Sequence, residues 1–513
     1  MKKKFTSQAV SNVGSSWAGL GVNIIVGFLL SPFILHRLGD EAFGLWVLVF
    51  SVTDYYGLFD MGIRSSIVRY VSKFHATGEE QELAGIVNTT LFTYSMVALG
   101  LMLITLLGTP LVNSVFRIPA GYGAQAPWLF LIVGTSVALG FPLGVFGGIL
   151  EGLQKLYWLN ATTIVGTLLR AFLVVVALHR GYGLITLAVI TAATPVVSGL
   201  VRALVVFRVL PLQFGVRFIR RTAFRQVVSY GMFTMLVIIA DRLRFRADAV
   251  IIGKLLSVAA ITYFSIASKI VDYASEVVTN MAQIFTPMSS HFDARGEAEQ
   301  LHKVLLLGNR ASAFVMFPLS AGLIVMGKSL IEVWMGARYV SSYSVMLVLL
   351  IPTALLCAQA SSTRVLYGIG RHRVMAWFVL GESVINIVLS VILVRHYGIM
   401  GDAVGTAIPL LITTVFFLPW HICHLLELRV GAFVRECFSR PLQLALLLVL
   451  TLLLLQLWYV PHTYLGLGLQ VLLGGGFYLA TLYWRVVRHG DLGQGLQESL
   501  GRLMPSVLPS QGS

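Results

Sequence analysis

A run of five charged residues interrupts one of the apolar segments of this chain. Asp241, Arg242, Arg244, Arg246 and Asp248 lie between residues 227–240 and 249–253, which are largely apolar and long enough together to cross a bilayer. At a helix centre each such charge costs about 2.5–3.5 kcal/mol on insertion scales, so it persists only beside a polar partner or a water-filled cavity. The run therefore indicates a cavity-lining patch that meets an anionic headgroup or a coupling cation. The alternative is that the helix ends near Asp241 and the charges lie in a solvated loop.

Helical spacing divides these charges between two faces. Asp241, Arg244 and Asp248 share one face at i, i+3 and i+7, whereas Arg242 and Arg246 share another at i and i+4. A guanidinium stays charged and binds phosphate oxygens through two parallel hydrogen bonds, which suits the three arginines to substrate binding. The two aspartates are suited to neutralise Arg244 when the site is empty, or to bind a coupling ion.

Other charged residues also lie inside apolar segments. Lys269, Asp272 and Glu276 follow one another at i, i+3 and i+7, which suits either a cation or proton relay, or an ion pair near a helix end. Asp54 has no partner that the sequence reveals. The single charges Arg170, Arg364 and Glu382 either line a cavity or are snorkelling or paired. The substrate-binding candidates are Arg242, Arg244, Arg246, Lys269, Arg170 and Arg364, and the coupling-ion candidates are Asp54, Asp241, Asp248, Asp272 and Glu276.

The composition is that of a membrane protein. Of the 513 residues, 57% are hydrophobic and 12% are charged, about half the charged fraction of a soluble domain. Apolar runs of about 20 residues recur along the chain and predict an all-α polytopic fold. We place about fourteen transmembrane helices, at residues 13–36, 42–60, 86–110, 126–150, 159–178, 183–207, 227–253, 258–285, 304–327, 342–367, 373–394, 400–424, 441–460 and 464–484.

Several other functions are excluded by where the residues fall. The net charge of +15 is spread over short connections, which favours topology and anionic lipid over nucleic acid. Residues 322–329 match the phosphate-loop pattern but end a predicted membrane helix, so we expect no nucleotide. Three unpaired cysteines and the pair His421 and His424 make no metal site. With no nucleophile motif and no cofactor motif, we do not expect an enzyme.

The basic residues also predict the orientation. Of the 37 lysines and arginines, 24 fall on the side of both termini, 7 on the opposite side and 6 within the predicted spans. The positive-inside rule therefore places both termini in the cytoplasm.

Short motifs recur in the two halves of the chain. Residues 38–45 correspond to 256–263 at an offset of 218, 152–155 to 368–371 at 216, and 182–184 to 397–399 at 215. Six helices per half predict a parallel repeat, in which substrate lies between two pseudo-symmetric bundles that rock. The predicted domains are a six-helix bundle at 1–210, a basic cytoplasmic linker at 211–226, a second bundle at 227–427, an accessory helix pair at 428–487 and a cytoplasmic tail at 488–513.

Five short motifs resemble a known family. They are similar to the polysaccharide-export (O-antigen flippase) family of the multidrug/oligosaccharidyl-lipid/polysaccharide exporter superfamily, and they are Leu38–Trp46, Leu58–Arg64 with Val68–Arg69, Tyr263–Lys269, Gly368–Gly370 and Tyr397–Ala403. The likeness covers about residues 10–425. It implies a V-shaped pair of six-helix bundles that alternately opens a central cavity to each side. It also implies that basic cavity residues, here Arg242, Arg244 and Arg246, hold a pyrophosphate.

The resemblance implies an alternating-access flippase of the inner membrane. Its substrate would be a polyprenyl-pyrophosphate-linked oligosaccharide for cell-surface polysaccharide synthesis. The expected partners are this lipid-linked glycan, anionic membrane lipids and polysaccharide polymerase or ligase proteins, with no nucleic acid. The alternatives are a cation-coupled multidrug exporter, a flippase for a peptidoglycan precursor lipid, and a non-transporting scaffold of a polysaccharide-synthesis complex.

Overall fold

The structure is a computed structural model that describes residues 2–210 and 213–487. Within these residues it leaves out the side chains of residues 2–11, 13, 230–238, 240, 241, 243, 245, 246, 486 and 487. Two predicted segments therefore lie partly or wholly outside the described residues: positions 211 and 212 of the linker, and the tail from residue 488 onward.

The described chain is built from α-helices joined by short turns. The helices are α1 (Lys2–Leu38), α2 (Asp40–Asp54), α3 (Ile63–Thr77), α4 (Glu80–Gly108), α5 (Val112–Val115), α6 (Gln125–Gly152), α7 (Leu156–His179), α8 (Leu184–Val209), α9 (Arg221–Leu255), α10 (Val258–Ala282), α11 (Phe285–Ala294), α12 (Ala298–Met335), α13 (Ser342–Ala358), α14 (Ala360–Gly368), α15 (Arg373–Ile412), α16 (Leu418–Leu425), α17 (Val430–Trp458) and α18 (Tyr464–Leu482).

Ten helical segments of the described chain are long and apolar enough to cross a membrane. The bent pair α13 and α14, which meet at an angle of 45°, would add an eleventh. Many of their side chains are exposed and apolar, as expected of helices that contact lipid. The predicted class, an all-α polytopic membrane protein, is confirmed.

The charged run lies inside a helix. α9 continues without interruption from Arg221 to Leu255 and so contains Asp241 to Asp248. The alternative, in which the helix ends near Asp241 and the charges occupy a loop, is therefore wrong. A continuous helix keeps the backbone bonded internally, so the charges must find their partners through side chains.

The end of the second span positions Asp54 and Asp60, the two acids that interact with α9. After α2, one stretch of 3-10 helix covers Tyr55–Asp60. Met61 and Gly62 then adopt left-handed conformations, with φ of 50° and 67°. These two residues turn the chain into α3, whose buried Ile63, Ile67 and Val71 pack into the core.

The helices form two compact units. Unit 1 contains residues 1–265 and 383–402, and unit 2 contains residues 266–382 and 403–513. In unit 1, α3, α4, α6 and α8 enclose a core around Ile67, Ile149 and Val206. In unit 2, α17 and α18 pack on α12 around Phe314, where the Tyr478 hydroxyl donates to the Phe314 carbonyl at 2.7 Å.

The linker is fastened to α4 within unit 1. The Asn88 side chain donates to the Gln213 carbonyl and accepts from the Gly215 amide, both at 2.9 Å. Arg220 then contacts Glu82 at 2.5 Å. Asn88 is buried and the two bonds are partly buried, so they hold the linker backbone against α4.

Candidate functional site

The centre of the candidate site is an ion pair between α9 and the end of α2. Arg242 Nη1 donates to Asp54 Oδ2. Each of the two side chains is 32% exposed. Gly57 lies against the guanidinium, since a Cβ built at this glycine would be 3.2 Å from Nη2. The sequence does not reveal this partner of Asp54, because the helix that carries it lies 188 residues further along the chain.

A second acid, Asp60, lies at the end of the 3-10 stretch that follows Asp54. Asp60 accepts a hydrogen bond from the Tyr94 hydroxyl on α4, and Arg64 and Arg242 partly offset the cost of burying its charge. Arg64 in turn lies 3.5 Å from Glu151 at the end of α6. The α2–α3 break thus holds alternating acids and bases, which keeps the charges close to neutral in total.

Arg244 lies on a different face of α9 from Arg242, as the helical spacing predicts. Its side chain is only 4% exposed. Asn386 of α15 donates to the Arg244 carbonyl at 3.3 Å, and Ala247 and Ile251 continue the same buried stripe. The Arg244 side chain is therefore buried where α9 packs against residues 383–402, whereas the Arg242 side chain is partly exposed.

The remaining candidates of unit 1 are differently placed. Asp248 is half-buried, and its charge acts on the buried Asp402. The side chains of Asp241 and Arg246 lie outside the described part of the structure. Arg170 is half-buried in α7, and its buried Nε has no hydrogen-bond partner among the described residues. Arg170 is fourteen residues after the start of α7 and nine before its end, which puts it near mid-membrane at about 1.5 Å per residue.

The other predicted residues belong to unit 2. Lys269, Asp272 and Glu276 lie along α10, as their spacing predicts, and all three take part in polar or electrostatic interactions. Arg364 is half-buried in α14. Glu382 is buried and accepts a hydrogen bond from Thr413, the first residue of a π-helical turn at Thr413–Phe417. No group of three metal-ligating side chains occurs in the described chain.

Sequence reasoning missed two residues of unit 1 that the structure brings to this region. Tyr94 has no local signal, since it looks like any aromatic residue of an apolar span. Asp402 is fully buried, and neither of its carboxylate oxygens accepts a hydrogen bond within the described chain. The signal for Asp402 was available, because it is a lone acid inside a predicted span.

The arrangement around Arg242 can exchange one anion for another. A partly exposed guanidinium that already binds a carboxylate can bind a phosphate in its place, through shorter charge-assisted bonds. Asp54 then holds Arg242 in position when no ligand is present. This pairing lowers the cost of a charge at membrane depth.

Three sequence comparisons match proteins of polysaccharide or glycan biosynthesis and transport. A sequence model of the family described as "Polysaccharide biosynthesis protein" matches residues 34–344. The "Putative O-antigen transporter" of Shigella flexneri is 20% identical over 408 residues, covering 78% of this chain and 94% of that protein. The "Probable low-salt glycan biosynthesis flippase Agl15" of Haloferax volcanii is 22% identical over 191 residues, covering 37% and 40%.

The fold is shared with a solved transporter structure. The lipid II flippase MurJ in an inward closed conformation superposes with a TM-score of 0.74 at 13% identity, covering 94% of this chain and 100% of that one. Identity at this level shows a common fold only. The family match therefore carries the functional argument, and the superposition shows the fold alone.

Proposed function

Because the chain belongs to the polysaccharide biosynthesis protein family, we propose that it is a flippase for lipid-linked oligosaccharide. The observation that carries this proposal is the family match over residues 34–344, a range that includes Asp54, Tyr94 and Arg242. Two relatives of the chain are named as an O-antigen transporter and a glycan biosynthesis flippase. These similarities favour a flippase over a multidrug exporter or an enzyme.

The substrate we infer is a polyprenyl-pyrophosphate-linked glycan, and Arg242 is the residue we assign to its pyrophosphate. Its guanidinium is partly exposed and is held by a carboxylate that a phosphate can displace. Arg244, Arg246, Lys269, Arg170 and Arg364 remain candidates for further contacts. Asp54, Asp241, Asp248, Asp272 and Glu276 remain candidates for ion coupling. A pyrophosphate of two charges gains about 2.3 kcal/mol per charge per 100 mV on leaving a negative interior.

We propose fourteen spans in two six-helix bundles with an accessory pair. Ten helical segments of the described chain already qualify, and the bent pair α13–α14 adds one. α15 contains a break at Gly398, with φ of 59°, that divides the long segment Arg373–Leu425 into two spans. The less apolar α9 and α10 would complete the count. The domain boundaries at 210, 226, 427 and 487 remain as the sequence predicts them.

One pair of contacts supports the internal repeat. Gly44 packs against the carbonyl of Val258, and the Thr262 hydroxyl donates to the Asp40 carbonyl at 2.7 Å. At the offset of 218 residues, Gly44 corresponds to Thr262 and Asp40 to Val258. The two contacts are therefore exchanged by the repeat, as they are at a two-fold interface where residue i meets j and j meets i.

The location we infer is the inner membrane, with both termini in the cytoplasm, since the basic residues concentrate on that side. Anionic lipids would contact the same basic connections. Polysaccharide polymerase or ligase proteins are the partners that the proposed pathway would require.

The test is complementation of a bacterial strain whose own lipid-linked oligosaccharide flippase has been deleted. We expect the chain to restore surface glycan, and the deletion strain to accumulate lipid-linked oligosaccharide on the cytoplasmic leaflet. The Arg242→Gln variant should restore little glycan at equal membrane abundance, while Arg208→Gln, an exposed arginine of α8, should restore it fully. Drug tolerance without glycan export would instead identify a multidrug exporter.

A further inference from the structure

A second basic site lies in unit 1, away from the predicted candidates. Arg202 is near the end of α8, and its side chain reaches α7. Its Nε donates to Thr162 Oγ1 and its Nη2 donates to Thr163 Oγ1, both at 2.9 Å. Two adjacent threonines therefore fix the plane of this guanidinium. Holding an arginine side chain in one rotamer costs conformational entropy, which these two hydrogen bonds offset.

The bonds that hold Arg202 leave its charge uncompensated. Both acceptors are neutral hydroxyls, and within residues 2–210 and 213–487 no carboxylate lies within ion-pair distance of Arg202. Arg64 lies nearby, since its partner Glu151, at 3.5 Å, is one turn along α6 from Gly147, which contacts Arg202. Arg64 also interacts with Asp60, so its own charge is balanced by acids. The charge of Arg202 has no acid beside it among the described residues, and this charge attracts an anion.

Arg202 lies at the depth of lipid phosphates. It is eighteen residues after Leu184, the start of α8, or about 27 Å at 1.5 Å per residue. The hydrocarbon core is about 30 Å thick, so Arg202 lies at its far boundary. Tyr157 and Trp158, in the first turn of α7, are partly exposed, and such residues are typical of the membrane interface.

One side of the half-buried guanidinium has no hydrogen-bond partner among the described residues. With the hydrogen of Nε and one hydrogen of Nη2 bound to threonines, both hydrogens of Nη1 and the second of Nη2 remain as donors. A Cβ built at Gly147 would be 3.9 Å from Nη1, so this position of α6 lies against the guanidinium. Arg64 is 58% exposed and can turn toward the same ligand.

We propose that Arg202 and Arg64 bind the phosphate group of an anionic membrane lipid. Arg202 supplies a fixed donor at the edge of the hydrocarbon core, and Arg64 supplies a mobile second charge from the water side. The ligand chemistry is a phosphate ester on an apolar chain. This site depends on neither the direction nor the cargo of transport.

The test measures lipid binding to the purified full-length chain by native mass spectrometry in an uncharged detergent. The probes are dioleoyl phosphatidylglycerol, a phosphodiester lipid, and farnesyl pyrophosphate. We expect Arg202→Gln to weaken binding by about tenfold or more, since a charge-assisted hydrogen bond is lost. Arg208→Gln, which removes the same charge from an exposed position of the same helix, is the matched control and should weaken binding by less than about threefold.

The pattern across the two probes identifies the ligand. Loss of both assigns the site to lipid phosphates in general, and loss of phosphatidylglycerol alone assigns it to bulk lipid. Loss of farnesyl pyrophosphate alone would contradict the proposal, because the site would then bind the cargo and not a membrane lipid. Arg202→Lys keeps the charge but not the fork that spans two hydroxyls and a phosphate, so we expect an intermediate loss. The proposal is overturned if the Gln variant binds like the Arg208 control, or if the Lys variant binds both probes like the unaltered chain.

Discussion

Neutralising Asp54 should strengthen anion binding at Arg242. In the structure the Asp54 carboxylate is paired with the guanidinium of Arg242, to which we assign the pyrophosphate. A ligand must therefore displace Asp54 before it binds. The Asp54→Asn variant keeps the size of the side chain and removes the competing charge, so the arginine becomes available to a phosphate at a lower cost.

The magnitude follows from the exposure of the pair. Fully exposed ion pairs contribute about 0–1 kcal/mol, and breaking a buried pair costs about 3–5 kcal/mol. Since both side chains are 32% exposed, we place the Asp54–Arg242 interaction at about 1–2 kcal/mol, between these limits. Removing the competitor should then tighten anion binding by about five- to thirtyfold, because 1.4 kcal/mol corresponds to a factor of ten.

The assay is equilibrium binding of farnesyl pyrophosphate to the purified chain in an uncharged detergent. Arg242→Gln should abolish the gain when it is combined with Asp54→Asn. Glu41→Gln removes an exposed carboxylate from the same helix and should leave binding unchanged. If Asp54→Asn weakens binding, or if the gain persists without Arg242, the competition between carboxylate and phosphate is refuted.

Three further predictions concern the structure that supports these sites, and all are read as the midpoint of thermal unfolding. Tyr94→Phe removes the hydroxyl that donates to the Asp60 carboxylate and should destabilise the chain by about 1–3 kcal/mol. An unchanged midpoint would mean that water satisfies this carboxylate. Asn88→Ala loses both bonds to the linker and should cost about 2 kcal/mol while speeding proteolysis at residues 213–220; equal cleavage rates would contradict this. Gly44→Ala forces a Cβ onto the backbone carbonyl of Val258 and should destabilise the chain by about 1–3 kcal/mol. Gly100→Ala, which has open space around it, is the control and should stabilise its helix by up to about 1 kcal/mol. If both variants shift the midpoint in the same direction, the close contact at Gly44 is contradicted.

The membrane fold was predictable because lipid restricts the sequence directly. A span must be apolar over its length and must bond its own backbone, so hydropathy alone indicates where helices such as α6 and α8 lie. The second span is predicted at residues 42–60, and the helical segment of the structure ends at Asp60, just before the left-handed Met61 and Gly62. These features depend on neighbours in sequence, and a single chain therefore reveals them.

The partners of the charged residues were not predictable for the opposite reason. Arg242 and Asp54 are 188 residues apart, and no local pattern relates them. The same holds for Asn386 and Arg244, which are 142 residues apart. Helical spacing could assign the arginines to two faces of α9, but only the packed structure shows which helix each face meets.

The two described arginines of the charged run consequently have different roles. Both can remain within a membrane helix because each has polar surroundings, Arg242 beside Asp54 and Arg244 beside residues 383–402. Arg244 is 4% exposed, so a ligand could reach it only if α9 and α15 separated. Arg242 needs no such movement, because its partner is a single carboxylate that a phosphate can replace. If one of the two is the first to bind a headgroup, it is Arg242, and Arg244 would join only after the packing between α9 and α15 had opened.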